Sequence, residues 1–246
     1  MRTLKITLAY DGTRFVGWQR QAGGDSIQGL LEDALAAFEG HAVSVQGAGR
    51  TDAGVHALGQ VASVQLTTGH DTAILLRGVN VRLPPEVRVL AIEEAPPGFH
   101  ARFSARSKTY RYQIRHAPVV SPFEQAYVWH VPQRLDVDAM RTAAAAVVGR
   151  HDFAAFKSVG TDPATTVRTM TRSALVGDAA GLLTYEIAGD GFLRHMVRAI
   201  VGTLVEVGRG WRDVPAMAAL LGGGRRADAG ATAPPHGLFL VGVDYD

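Results

Sequence analysis

The sequence predicts an α+β fold made of two ferredoxin-like halves, each running β-α-β-β-α-β, with antiparallel sheets, helices on one face and a central cleft. Three observations carry this. Apolar residues alternate with period two in several short stretches, and they recur at i, i+3, i+4 and i+7 in a few longer ones. The order of these stretches in residues 1–104 is repeated in residues 105–246, which sets the expected domains. The repeat is one of element order, with no duplication visible at the level of residues.

In the first half, Thr3 to Tyr10 alternates with Leu4, Ile6 and Leu8 on one face, and Asp11-Gly12 ends the strand as a turn. Ser26 is placed to cap a helix whose apolar residues Ile27, Leu30, Leu31, Ala34, Leu35 and Phe38 form one stripe, and Gly40 stands just past its end. Strands are expected over 42–47 and 60–67, a short helix from about Asp71, and a strand from Val87 to Ile92 before Pro96-Pro97.

In the second half, Lys108 to His116 reads as a strand and Asp136 as the cap of an alanine-rich helix ending at Gly149. Strands near 166–176 and 182–188 follow. The spacing then predicts a helix from Leu193 to Val207, with Leu193, Met196, Val197, Ile200, Val201, Leu204 and Val205 as its buried stripe. A short helix capped by Asp213 and a strand from Leu238 to Val243 close the chain.

With 246 residues and 47% hydrophobic content, the chain can bury a substantial core. No apolar run approaches membrane-spanning length and no secretory h-region follows the charged start, so the cytoplasm is the expected location and no membrane partner is expected. The absence of cysteine excludes a thiol nucleophile, an iron–sulfur cluster and a thiolate zinc site. No Walker loop or dinucleotide fingerprint stands in its β-turn-α context, so neither ATP nor NAD is implied.

The net charge is only +2, although the pI of about 9.1 leans towards a polyanionic partner. Distribution says more. Between Glu94 and Glu124 there is no acidic residue, while Arg102, Arg106, Lys108, Arg111 and Arg115 fall there with Phe103, Tyr110 and Tyr112 interleaved. Cations for phosphate beside aromatic faces for bases suit a single-stranded or flipped nucleotide, and a charged, solvated strand edge is the alternative reading.

The decapeptide Gly47-Ala48-Gly49-Arg50-Thr51-Asp52-Ala53-Gly54-Val55-His56 is polar and glycine-rich between two alternating apolar runs. It presents the carboxylate of Asp52 two residues from the guanidinium of Arg50, a cation that would favour the ionised acid and could grip a phosphate or stack on a base. The other reading is an Asx turn in which Asp52 serves its own loop. Asp52 and His56 could share a metal by spacing, but the glycine between them and the lack of a third ligand argue for none. His151-Asp152 reads as a capping pair. Tyr110 shares strand parity with Tyr112 and Ile114, which points it at the core, and a tyrosine stacked on a base is the functional alternative. Arg194 and Arg198 lie four apart on the expected last long helix, where like charges repel unless an anion sits between them.

With these residues in view, the sequence resembles the tRNA pseudouridine synthase A family over almost its whole length. The resemblance runs through Tyr10-Asp11-Gly12, Gly17-Trp18-Gln19-Arg20-Gln21, Ile27-Gln28, the block Gly49 to His56, Gly59-Gln60-Val61 and Asn80 with Leu83-Pro84. It continues through Phe99 to Ala105, Tyr110-Arg111-Tyr112, His151-Asp152-Phe153, Met196-Val197-Arg198 and Ala233-Pro234-Pro235. The Gly-Arg-Thr-Asp block is specific to this family among pseudouridine synthases.

The resemblance implies isomerisation of uridine to pseudouridine at positions 38, 39 and 40 of the tRNA anticodon stem-loop, by a homodimer, without metal or cofactor. It implies that Asp52 is the catalytic aspartate, that Tyr110 packs on the target base, that Arg50 helps to flip the uridine, and that Arg198 pairs with Asp52. Arg102, Arg106, Lys108 and Arg111 are the expected RNA-binding residues beside them. Ser121, Arg194 and the loop around Gly160-Thr161-Asp162 correspond to a variable region of the family. Two other readings fit the bare residue pattern: an RNA-binding module without chemistry, and a uracil N-glycosylase or nucleoside hydrolase using Asp52.

Overall fold

The computed structural model describes residues 1–160, 163–177 and 181–246. It is a mixed α+β protein whose residues group into two compact units, Met1–Arg106 with Phe239–Asp246, and Ser107–Leu238. Thr161 and Asp162 of the variable loop lie outside the described residues.

The first unit begins with β1 (Arg2–Tyr10), α1 (Ile27–Glu39), β2 (Gln46–Gly47), β3 (His56–Leu66), α2 (Thr72–Arg82) and β4 (Val87–Ala95). β1 pairs antiparallel with both β3 and β4, and β2 pairs antiparallel with β3. The caps fall where the sequence puts them. The Ser26 hydroxyl accepts from Gly29 N, Gly40 closes α1 in the left-handed region at φ 79°, and the Asp71 carboxylate accepts from Ala73 N. Ile27, Leu31 and Leu35 of α1 and Leu4, Ile6 and Leu8 of β1 are all fully buried.

Two strand limits differ from expectation. The strand expected over 42–47 is only Gln46–Gly47, because helix side chains take the backbone groups it would have paired. Val45 N donates to Glu32 Oε1 and Val45 O accepts from Gln28 Nε2, both at 3.0 Å, so neither group needs a ladder partner. β3 starts at His56 instead of residue 60, since a main-chain turn, Val55 N to Asp52 O at 3.1 Å with Gly54 at φ 77°, feeds straight into it.

The second unit contains β5 (Ser107–Arg115), β6 (Trp129–His130), α3 (Val137–Ala145), β7 (Gly149–Asp152), β8 (Val167–Gly177), β9 (Leu182–Gly189), α4 (Met196–Gly208) and α5 (Pro215–Leu220). β5, β9, β8 and β7 form an antiparallel sheet in that order, and β6 adds to β5 in parallel. β6 and β7 are not visible in the sequence pattern, being two and four residues long. Asp136 caps α3 through Ala139 N at 2.9 Å, but the helix stops at Ala145 because Val147 and Val148 close tight turns onto Ala144 O and Ala145 O and Gly149, at φ 116°, opens β7. His151-Asp152 is therefore a strand segment, although Asp152 also caps Ala154 N at 3.0 Å.

α4 begins at Met196, three residues later than its apolar stripe suggests. His195 adopts φ 63°, and Met196 N bonds Leu193 O in a turn, so Arg194 precedes the helix and the four-residue pairing with Arg198 along it does not exist. The segment after α5 packs on α4. Gly202 allows this, since a Cβ there would sit 1.7 Å from Ala231 O.

The last strand is β10 (Leu238–Asp244). It pairs parallel with β3 through Phe239↔His56 and Leu240↔Ala57, so the first unit's sheet is not purely antiparallel. The physical reason lies in β2, which covers β3 only at Ala62 and Ser63 and leaves the edge at His56 and Ala57 to another strand.

Candidate active site

In the first unit, the loop carrying Asp52 is held from several sides. The buried Thr51 hydroxyl lies 2.9 Å from Tyr10 Oη, Gln60 Nε2 donates to Gly49 O at 3.0 Å and approaches Tyr10 Oη at 3.4 Å, and Ala48 N donates to Val61 O at 2.7 Å. Burial pushes the Tyr10 phenol up to about 12, against the opposing hydrogen bonds of Thr51 and Gln60. The phenol therefore stays protonated. Asp52 itself is half-buried between the buried Thr51 and Val55, and it takes part in a further interaction.

The segment from Asp11 to Trp18 packs against the same loop. Trp18 N donates to Thr51 O at 3.0 Å; Gly17 is at φ 107°, and a Cβ there would come 2.7 Å from that oxygen. A Cβ on Gly12 would sit 2.0 Å from Val55 O, and one on Gly47 would enter the Trp18 ring. Glycine is required at these positions by close approach. His56 is buried, and its Nδ1 lies 3.1 Å from both Gly12 N and Asp11 Oδ1. Nδ1 accepts from Gly12 N–H.

Arg50 is exposed and forms no ion pair with Asp52. A rigidly held, half-buried carboxylate beside an exposed cation can act as nucleophile, base or electrostatic partner of a developing positive charge. Among the described residues, no three His, Asp or Glu side chains gather as a metal would need.

The stretch Gln19-Arg20 with Gln28 has a structural task. Arg20 Nε pairs with Glu32 at 2.8 Å and Arg20 Nη2 with Asp33 at 2.6 Å, while Gln19 Nε2 donates to Gln28 Oε1 at 2.6 Å. This network ties the start of α1 to Val45 just ahead of the decapeptide.

In the second unit, Tyr110, Tyr112 and Ile114 share the buried face of β5, so the strand parity read from sequence holds. Tyr110 is 7% exposed and meets Phe192 edge-on at 4.8 Å. Tyr112 is fully buried and donates to Pro234 O at 2.8 Å; burial raises its phenol strongly. Arg198, in the first turn of α4, is half-buried, and its Nε donates to Ala233 O at 2.8 Å while its own carbonyl accepts from Ala233 N at 3.0 Å. The same guanidinium, after burial, helps to lower the His236 imidazole. His195, just ahead, is the one non-glycine with positive φ among the described residues, and its Nδ1 lies 3.2 Å from Ser158 Oγ. Strain of this kind is held in place by surrounding contacts.

The basic window divides. Arg102 and Arg106 belong to the first unit and are exposed. Lys108 and Arg111 belong to the second; Lys108 is half-buried, and Arg111 is ion-paired with Glu186 at 3.1 Å, which also binds Arg172 at 3.0 Å. Arg111 is thus partly neutralised across β5 and β9. Sequence reasoning missed Tyr10, Gln60 and His195; Gln60 carried a signal, as a polar residue on the inward face of an apolar strand.

Comparison with known proteins gives a consistent result. The profile of the family described as "tRNA pseudouridine synthase" matches residues 6–104 and 143–246. The tRNA pseudouridine synthase A of Syntrophotalea carbinolica is 47% identical over 245 residues, spanning 100% of this chain and 97% of that one. That of Solibacter usitatus is 46% identical over 248 residues and 100% of both chains, and that of Neisseria gonorrhoeae is 44% identical over 241 residues, 98% of this chain and 91% of its own.

Proposed function

The chain belongs to the tRNA pseudouridine synthase A family, an isomerase of tRNA uridines, and we propose that it acts at positions 38, 39 and 40 of the anticodon stem-loop with Asp52 as the catalytic carboxylate. The observation that carries the assignment is the Asp52 loop. A carboxylate in the family-specific block is held by the Tyr10, Thr51 and Gln60 contacts and by close-approach glycines, the preorganisation that a reacting group needs. Tyr110, Arg50 and Arg198 complete the proposed catalytic set, and Arg102, Arg106, Lys108 and Arg111 the proposed RNA contacts.

The reaction breaks N1–C1′, rotates the detached uracil, joins C5 to C1′, removes the C5 proton and returns a proton to N1. Asp52 would stabilise or trap positive character at C1′, attack C6, or take a proton at C2′. Extrusion of the uridine costs a few kcal/mol, which stacking and phosphate contacts offset.

The finer architecture is part of this reading: two ferredoxin-like domains, 1–104 and 105–246, around a central cleft, in a cytoplasmic homodimer. Support comes from the β4-β1-β3-β2 strand order and the two helices of the first unit. No described helix is long and apolar enough to cross a membrane.

Asp52→Asn should abolish tritium release from C5-labelled uridine in tRNA while tRNA affinity stays within about tenfold, roughly 1.4 kcal/mol. Turnover by Asp52→Asn would overturn the catalytic assignment. Transcripts carrying a single uridine at 38, 39 or 40 should each be converted, and conversion confined to other positions would overturn the site assignment.

A further inference from the structure

We propose that Phe103, with the guanidinium of Arg102 beside its ring, is a stacking platform for an unpaired base of the RNA substrate. The proposal rests on the tRNA reading above and adds a recognition residue to it. Of the three aromatic residues interleaved with cations between Arg102 and Arg115, Tyr112 is 0% exposed and Tyr110 7%, whereas Phe103 is 76% exposed. The ring that faces solvent is therefore the one available to a base without rearrangement of the core.

The ring is also held. Ala101, fully buried, donates its N–H to Ser63 Oγ at 3.0 Å and accepts from Tyr245 Oη at 2.8 Å. The turn above it closes through Ser104 N to His100 O at 2.9 Å and His100 N to Ser104 Oγ at 3.1 Å. His100 Nδ1 accepts from Arg102 N at 3.1 Å and Phe103 N at 3.4 Å, and the His100 ring lies 4.3 Å from that of Phe103 at 39°. The Arg102 guanidinium carbon is 5.6 Å from the Phe103 ring centroid. An exposed aromatic on a stiff turn loses little freedom when a base stacks on it, and a cation at the ring suits a neighbouring phosphate.

The chemistry around the ring selects RNA over a second copy of the chain. Arg102 and Arg106 are exposed, neither forms an ion pair with a described residue, and no acidic residue occurs between Glu94 and Glu124. Polar and cationic residues flank Phe103 where a protein interface would need a contiguous apolar patch.

The test uses the full-length protein, an unmodified tRNA transcript, and a fully paired RNA duplex as control. Phe103→Leu should raise the Kd for tRNA about tenfold while its single-turnover rate at saturation stays within twofold, and its Kd for the duplex should not change. Phe103→Tyr and Phe103→Trp should bind tRNA within threefold of the parent. Unchanged tRNA affinity of Phe103→Leu overturns the proposal, as does equal weakening by Leu and Trp or an equal effect on the duplex. A changed sedimentation coefficient of Phe103→Leu without RNA, with tRNA affinity intact, assigns the ring to a protein contact and overturns it too. If the parent protein forms no pseudouridine while Phe103→Leu still loses tRNA selectively, the enzymatic reading fails and the platform stands.

Discussion

The phenol of Tyr10 and the hydroxyl of Thr51 lie 2.9 Å apart in a buried setting, so the residue immediately before Asp52 is anchored to the end of β1. Gln60, from β3, adds a donor to the same phenol and to Gly49 O. A loop that reads as flexible from its glycines is in fact tied to two strands.

Removing that anchor should separate stability from catalysis. Tyr10→Phe leaves Thr51 Oγ1 without this buried partner and is expected to cost about 1–2 kcal/mol in urea unfolding. The rate of pseudouridine formation at saturating tRNA should fall by more than the tRNA affinity does. An unchanged single-turnover rate would show that the loop does not depend on the phenol.

The same phenol gives a pH signature. Its folded value is raised to about 12 from the ordinary 10.0, so the unfolded chain ionises first. The associated stability is fully present below pH 10 and is lost as pH rises towards 12, a total of roughly 3 kcal/mol. The advantage of the parent over Tyr10→Phe should therefore shrink and then reverse over this interval, as chemical denaturation from pH 9 to 12 would reveal.

Gly12 tests close approach. Alanine there places a Cβ 2.0 Å from Val55 O, which must move the turn between Asp52 and Val55 or the Asp11 segment. Gly12→Ala is expected to cost about 1–3 kcal/mol and to lower turnover at least tenfold. The parent rate with parent stability would contradict the packing described here.

His195 tests backbone strain at the start of α4. Its φ of 63° suits Asn and penalises a β-branched residue. His195→Asn should lie within about 1 kcal/mol of the parent, and His195→Val should lose roughly 2 kcal/mol or more in thermal or urea unfolding. Equal losses for the two would assign the effect to the contact with Ser158 instead.

Arg198 tests the fork geometry. Its Nε is committed to Ala233 O at 2.8 Å, which leaves the terminal nitrogens to act elsewhere. Lysine has no second donor group to divide in this way. Arg198→Lys is expected to reduce turnover about a hundredfold with parent-like tRNA affinity; full activity would remove Arg198 from the catalytic set.

Much of the fold was legible because it is decided locally. Ser26, Asp71 and Asp136 cap their helices as read, Gly40 closes α1, and alternation located β1, β4, β5, β8 and β9. Each of these depends on residues within one or two turns of chain. The start of α4 was misplaced because His195 breaks the helix while the apolar stripe runs on past it. β6 and β7 escaped because strands so short have no period to detect.

The sequence by itself determined the family, the α+β class and the block holding Asp52, since these are written in residue identity and short-range spacing. Only the tertiary structure decided that β10 joins β3, that Glu32 and Gln28 take the backbone of Val45, that Arg111 is paired with Glu186, and that Phe103 alone of the three aromatics between Arg102 and Arg115 faces solvent. Each of those outcomes is a competition for partners between segments far apart in sequence, and such a competition is settled by which donors, acceptors and apolar surfaces packing brings within reach. For the Asp52 loop, that packing turned a glycine-rich stretch into a fixed mount, with Tyr10 and Gln60 reaching it across 41 and 11 residues of chain.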